Sequence, residues 1–151
     1  MMPDTPQSGR FVSGEHRFAV RVYFEDTDLS GVVYHANYLR YMERARSDML
    51  RVAGIDQRAA HEASEGAYAV RDLRIRYVAP ARLDDALLVI TTIERIRAAS
   101  VDIHQRVMRD GLLLADAQVE AAFVAPSGRA RRQPAKWLEA FDTVLQKGKP
   151  S

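Results

Sequence analysis

From Arg17 to Phe24 apolar and other residues alternate, with Phe18, Val20, Val22 and Phe24 on one parity, the pattern of a half-buried strand. A loop rich in acidic and small residues follows, Glu25 to Tyr34. The period then changes to that of a helix, from a start near Asn37, a good N-cap residue, to about Val52. Tyr38, Met42, Ala45, Met49 and Val52 recur on one side, and Arg40, Glu43, Arg44, Asp48 and Arg51 fill the other. Gly54 suits the stop. Asp56 to Gly66 carries no clear pattern and reads as a connector.

Period two returns at Leu73, Ile75 and Tyr77, while Tyr68 and Val70 fall on the opposite parity, which predicts a bulge near Arg71. Pro80 ends that strand. Leu87–Ile96 and Val101–Arg109 read as two more, and the Asp110-Gly111 turn leads to another with Ala115, Ala117, Val119, Ala121 and Phe123 on one face. Beyond Pro126-Ser127-Gly128 and the basic patch of Arg129, Arg131 and Arg132, a short helix opens near Pro134 with Trp137, Phe141 and Leu145 on one stripe. The order of strand, long helix, four strands and terminal helix predicts an α+β fold whose last four strands form an antiparallel meander. One amphipathic helix covers one face of a five-stranded sheet, so the other face or an edge is expected to meet a second subunit.

At 151 residues this is expected to be one domain, 15–146, between a disordered N-terminal tail over 1–14 and a short C-terminal tail over 147–151. A formal charge of +2, spread along the chain, argues against nucleic-acid binding yet suits a small anionic ligand. The absence of cysteine excludes a disulfide framework and thiol catalysis and agrees with a reducing cytoplasm. No apolar run is long enough to span a bilayer.

The chemistry concentrates in EDTDLSGVVYHANY, Glu25 to Tyr38. A carboxylate held a few residues before a helix N-terminus sets a base or nucleophile beside free backbone N–H donors, the two requirements for cleaving an activated acyl group. Asp28 is the candidate carboxylate, Asp26 reads as a turn stabiliser, and Asn37 as an N-cap rather than a substrate contact. Asp26, Asp28 and His35 lack a tight ligand spacing, so no metal site is expected. His16, His61 and His104 carry no motif and read as surface or strand residues.

The block RVYFEDTDLSGVVYHANYLRYMERAR, with the later RDLRIRYVAPARLDD, resembles the hotdog-fold acyl-CoA thioesterases. The likeness is to the subfamily associated with the Tol–Pal gene cluster and, more distantly, to 4-hydroxybenzoyl-CoA thioesterase. It implies a curved antiparallel sheet wrapped around the long helix, and dimers or tetramers with active sites at subunit interfaces. It implies hydrolysis of acyl-CoA to a free acid and coenzyme A without a cofactor. Asp28 matches the catalytic carboxylate, acting as nucleophile or general base. The N–H of His35 matches the donor that polarises the thioester oxygen, with a further role for its imidazole left open. Gly31, Val32, Tyr34 and Tyr38 are candidate substrate-binding residues around this pair, with Asn37 beside them at the helix start. Arg97 and Ser100 fall where the hydroxybenzoyl relative binds the nucleotide, although alanines replace neighbouring basic residues there. The asparagine-proline motif of hotdog dehydratases is absent. The remaining alternatives are hydrolysis of acyl-carrier-protein thioesters, for which the arginines suit an acidic partner, and a non-catalytic acyl-thioester-binding module in lipid metabolism, peripheral to the inner membrane through partners.

Overall fold

The computed structural model describes residues 4–148; the outermost parts of both expected tails lie outside them. In chain order the elements are β1 (Arg10–Val12), β2 (Glu15–Arg21), a 3-10 turn (Phe24–Asp26), α1 (His35–Val52), α2 (Gln57–Glu62), β3 (Ala67–Tyr77), β4 (Ala86–Ile96), β5 (Ser100–Arg109), β6 (Leu112–Val124) and α3 (Ala135–Lys147). The strands form one antiparallel sheet in the order β1-β2-β4-β5-β6-β3.

This order departs from the expected meander. Of the four strands after α1, only β4, β5 and β6 follow one another; β3 pairs with β6 at the edge, and β4 pairs with β2. A sixth strand, β1, lies within the segment expected to be a disordered tail, because Arg10–Val12 pairs with β2 across a short hairpin. The strand expected over Arg17–Phe24 begins earlier and stops at Arg21. Phe24 enters the 3-10 turn, 81% exposed, and does not share the buried face of Val22. The unpatterned connector holds the short α2, where the Asp56 side chain accepts a hydrogen bond from the Ala59 N–H. The bulge near Arg71 is present, since the β3–β6 register shifts between Val70 and Asp72.

The long helix packs as its period dictates. Tyr38, Tyr41, Met42, Ala45 and Met49 are buried against the sheet, whose inner face presents Leu87, Val89, Ile93, Val101, Ile103, Val107, Ala117 and Val119. Ala115 and Ala117 of β6 belong to this core as well. At the far end of α1, Trp137, Phe141 and Val144 of α3 join the same core, with Tyr68, Phe123 and Trp137 in ring contact at centroid separations of 5.2–5.7 Å. The opposite face of the sheet is polar, with ion pairs such as His104–Asp116 at 2.7 Å and Arg106–Glu15 at 3.0 Å. Among the described residues, no helix is long and apolar enough to cross a membrane.

Candidate active site

The acidic loop is built around Asp26, which is 8% exposed. Its carboxylate accepts the Tyr23 N–H at 2.8 Å and the Asn37 side-chain amide at 2.7 Å, and its carbonyl accepts the Tyr34 N–H at 2.9 Å. One buried side chain therefore ties the 3-10 turn to the first turn of α1. The helix starts at His35, two residues before the expected position, with Tyr34 as an N-cap that makes no side-chain cap bond. Asn37 is thus not the cap: it lies inside the first turn of α1 as a buried brace, its side-chain NH2 donating to the Asp26 carboxylate in a charge-assisted hydrogen bond.

Asp28 stands out in solvent on this frame. Its Oδ1 accepts the Ser30 hydroxyl at 2.5 Å and the Ser30 N–H at 2.8 Å, while its own N–H donates to the Val32 carbonyl at 2.9 Å. The Ser30 hydroxyl first, then the Ser30 N–H, holds the Asp28 carboxyl below the usual range. It stays ionised at neutral pH, and the acidic neighbours do not raise it. Gly31 turns the loop at φ +83° with open space around its Cα, and the Thr27–Val33 and Val32–Arg82 bridges anchor both flanks.

The N–H of His35, at the first helical position, has no acceptor among the described residues. Its carbonyl accepts the Tyr77 hydroxyl at 2.8 Å, and its exposed ring lies 4.5 Å from that of Tyr34 between centroids. Tyr38 is both core and wall: its hydroxyl accepts the Ala81 N–H at 2.9 Å, burial pushes its pKa up, and its ring helps line a cavity of about 270 Å³ with His35, Tyr77 and Pro80. This cavity opens at the positive end of the helix dipole.

Arg97 and Ser100 are not part of this assembly. They sit at the β4–β5 turn, whereas the acidic loop follows the other end of β4, where Arg21 pairs with Ala86. Ten residues of strand place the two ends roughly 33 Å apart. The Arg97 guanidinium is engaged with Asp102 at 2.6 Å and Glu120 at 3.7 Å, and Ser100 is buried. The exposed patch of Arg129, Arg131 and Arg132 is remote in the same sense, with Arg131 donating to the Glu65 carbonyl. No group of His, Asp and Glu able to hold a metal occurs among the described residues.

An antiparallel sheet wrapped on one long helix, with an ionised carboxylate on the loop that feeds the helix N-terminus, defines a hotdog-fold protein of the thioesterase kind. The chain belongs to the Thioesterase-like superfamily, whose profile matches residues 22–145. It is 45% identical over 107 residues to the acyl-CoA thioesterase YbgC of Haemophilus influenzae, covering 71% of this chain and 79% of the relative. Among solved structures it resembles a probable thioesterase from Bartonella henselae, with 38% identity, TM-score 0.76, and coverage of 80% of this chain and 99% of the other. It also resembles a 1,4-dihydroxy-2-naphthoyl-CoA thioesterase from Synechocystis, with 26% identity, TM-score 0.79, and coverage of 85% and 96%.

Proposed function

We propose that this chain hydrolyses acyl-CoA thioesters to a carboxylic acid and coenzyme A, with Asp28 as the reacting carboxylate and the His35 N–H as the donor to the thioester oxygen. The observation that carries the reading is an exposed Asp28 carboxylate, oriented by the Ser30 hydroxyl and N–H, a few residues before a helix N–H with no acceptor among the described residues. Two routes follow. In one, Asp28 attacks the carbonyl, expels the thiolate and leaves a mixed anhydride for water to cleave. In the other, it takes a proton from the attacking water. In both, negative charge grows on the carbonyl oxygen, where the N–H and the helix dipole stabilise it. Gly31, Val32, Tyr34 and Tyr38 shape the approach, and Asn37 serves the site through Asp26. The relatives' names, acyl-CoA thioesterase in H. influenzae and acyl-CoA thioester hydrolase in Escherichia coli, support the substrate class.

The reading includes a homodimer, or a tetramer built from it. Asp28 is exposed in the single chain, and the long edge strand β3 is unpaired on one side, with Val70 and Tyr77 on it and Val78 beyond it 43–51% exposed. A second copy added along β3 would cover this apolar strip and give the carboxylate a wall. Arg97 and Ser100 enter the reading only as a neighbouring copy's contribution to the nucleotide. An acyl carrier protein as thiol partner, a cytoplasmic role beside the inner membrane and a link to the Tol–Pal system are finer parts of the same proposal. Thiol release from short-chain, long-chain and aromatic acyl-CoAs tests it against the non-catalytic binding module, with no thiol background from a cysteine-free chain. Turnover of at least one class supports the proposal, and binding without turnover of any CoA or carrier-protein thioester refutes it.

A further inference from the structure

A second cavity, of about 320 Å³, lies along the middle and end of α1, apart from the acidic loop. Met49, Leu50, Val101, Ile103 and Phe141 give it apolar walls, and Arg46 brings a guanidinium to it. Arg46 is half-buried and donates from Nη1 to the Gln105 Oε1 at 2.8 Å. Gln105 is fully buried, and its amide nitrogen donates to the Met42 carbonyl at 2.9 Å and the Thr91 hydroxyl at 3.1 Å. Those two acceptors fix the amide so that its oxygen faces Arg46. The guanidinium is therefore held in place by a built polar network rather than left to wave in solvent.

What the network does not supply is a counter-charge. Arg97, Arg106 and Arg109 each pair with a carboxylate at 3.0 Å or less, whereas no carboxylate forms an ion pair with Arg46 among the described residues. Glu43 also lines the cavity and acts on Arg46 only from a distance, while burial presses the guanidinium pKa down. A partly desolvated cation with most of its N–H donors unused, set against apolar walls, is costly by itself and is relieved by an anion. Its planar fork matches a carboxylate.

We infer that this cavity binds a carboxylate carried on a small apolar body, with Arg46 as the anchor and the wall formed by α1, β5 and Phe141 of α3 receiving the hydrocarbon. The volume sits at the low end of ligand pockets, which fits a medium-chain or single-ring body. Two sources share this chemistry: the far end of a carboxylated acyl group held for hydrolysis, and a free carboxylic acid acting as an effector.

Calorimetric titration of the full chain with octanoate and with 1-octanol tests the inference without any turnover, so its failure is distinct from that of the thioesterase reading. Octanoate is expected to bind at least about tenfold tighter than 1-octanol, the least that a charge-assisted hydrogen bond contributes. Arg46→Met, which keeps an unbranched apolar stem, is expected to bring octanoate to the level of 1-octanol, and Arg46→Lys to fall between. Equal affinities in the parent overturn the inference, as does an Arg46→Met chain, folded by circular dichroism, that holds octanoate as the parent does. The pattern of Arg46-dependent inhibition of thioester turnover identifies the source: competitive for the acyl channel, noncompetitive for a separate effector site.

Discussion

Replacing Asn37 by alanine removes one of the two side-chain-directed hydrogen bonds on a nearly buried carboxylate, the 2.7 Å contact to Asp26 Oδ1. Tyr23 N–H still reaches Oδ2, so the charge is not stripped bare. A hydrogen bond to a charged group contributes about 1.5–3 kcal/mol, and at 8% exposure solvent recovers little of it. For a domain of this size each kcal/mol moves the melting temperature by about 2–4 °C, so Asn37→Ala is expected to melt roughly 3–12 °C lower. The effect on turnover should exceed that loss, because the same brace ties the turn just before Asp28 to the first turn of α1, and a displacement of about 1 Å costs on the order of 10²-fold. The assay is a double-mutant cycle with Asp26→Ala, read by thermal melting and by thiol release. Coupling of at least about 1.5 kcal/mol is expected; additivity to within about 0.5 kcal/mol would refute the brace.

Ser30→Ala removes the main cause of the low Asp28 pKa, so the acid limb of the pH–rate profile should move to higher pH; an unmoved limb refutes that assignment. His35→Pro deletes the helix N–H at a position where proline is tolerated, and Tyr34 before it already has φ −61° and ψ 133°. It should lower kcat by about 10²–10³-fold, and His35→Ala, which keeps the N–H, by less; equal losses would assign the work to the ring. His16, buried beside Asp48 at 2.7 Å, has its pKa lowered by burial, against the opposing pull of Asp48. The unfolded chain then binds the extra proton, so stability should fall as pH drops below about 6.5. A His16→Gln chain should melt with a flatter pH dependence, and equal slopes would contradict this reading.

Much of the fold was legible because period and punctuation are local. The helix stripe from Tyr38 to Met49, the Asp110-Gly111 hairpin and the parity switch at Arg71 each sit within a few residues. Strand order was not, since the β3–β6 pairing joins segments whose partners are chosen by the whole core rather than by the turn between them. β1 and α2 are too short to show a period, and Phe24 kept the strand's parity while the Asp26 turn took the chain out of the sheet. At the site, the Asp28–His35 spacing was readable, and the resemblance supplied its meaning. The role of Asn37 was hidden because capping and bracing demand the same side chain. Ser30 was within reach of the sequence: a serine two residues after an aspartate is a familiar turn partner. Arg46 was not, because its significance lies in lacking the acidic partner that the other half-buried arginines have.

The central claim is that the Asp28 carboxylate carries the reaction. Single-turnover thiol release by the parent and by Asp28→Asn, on the best acyl-CoA substrate and with binding measured separately, tests it most directly. Loss of about 10²–10⁴-fold in the chemical step with substrate affinity retained is the expected result. An Asp28→Asn protein that releases thiol at the parental rate would contradict the account.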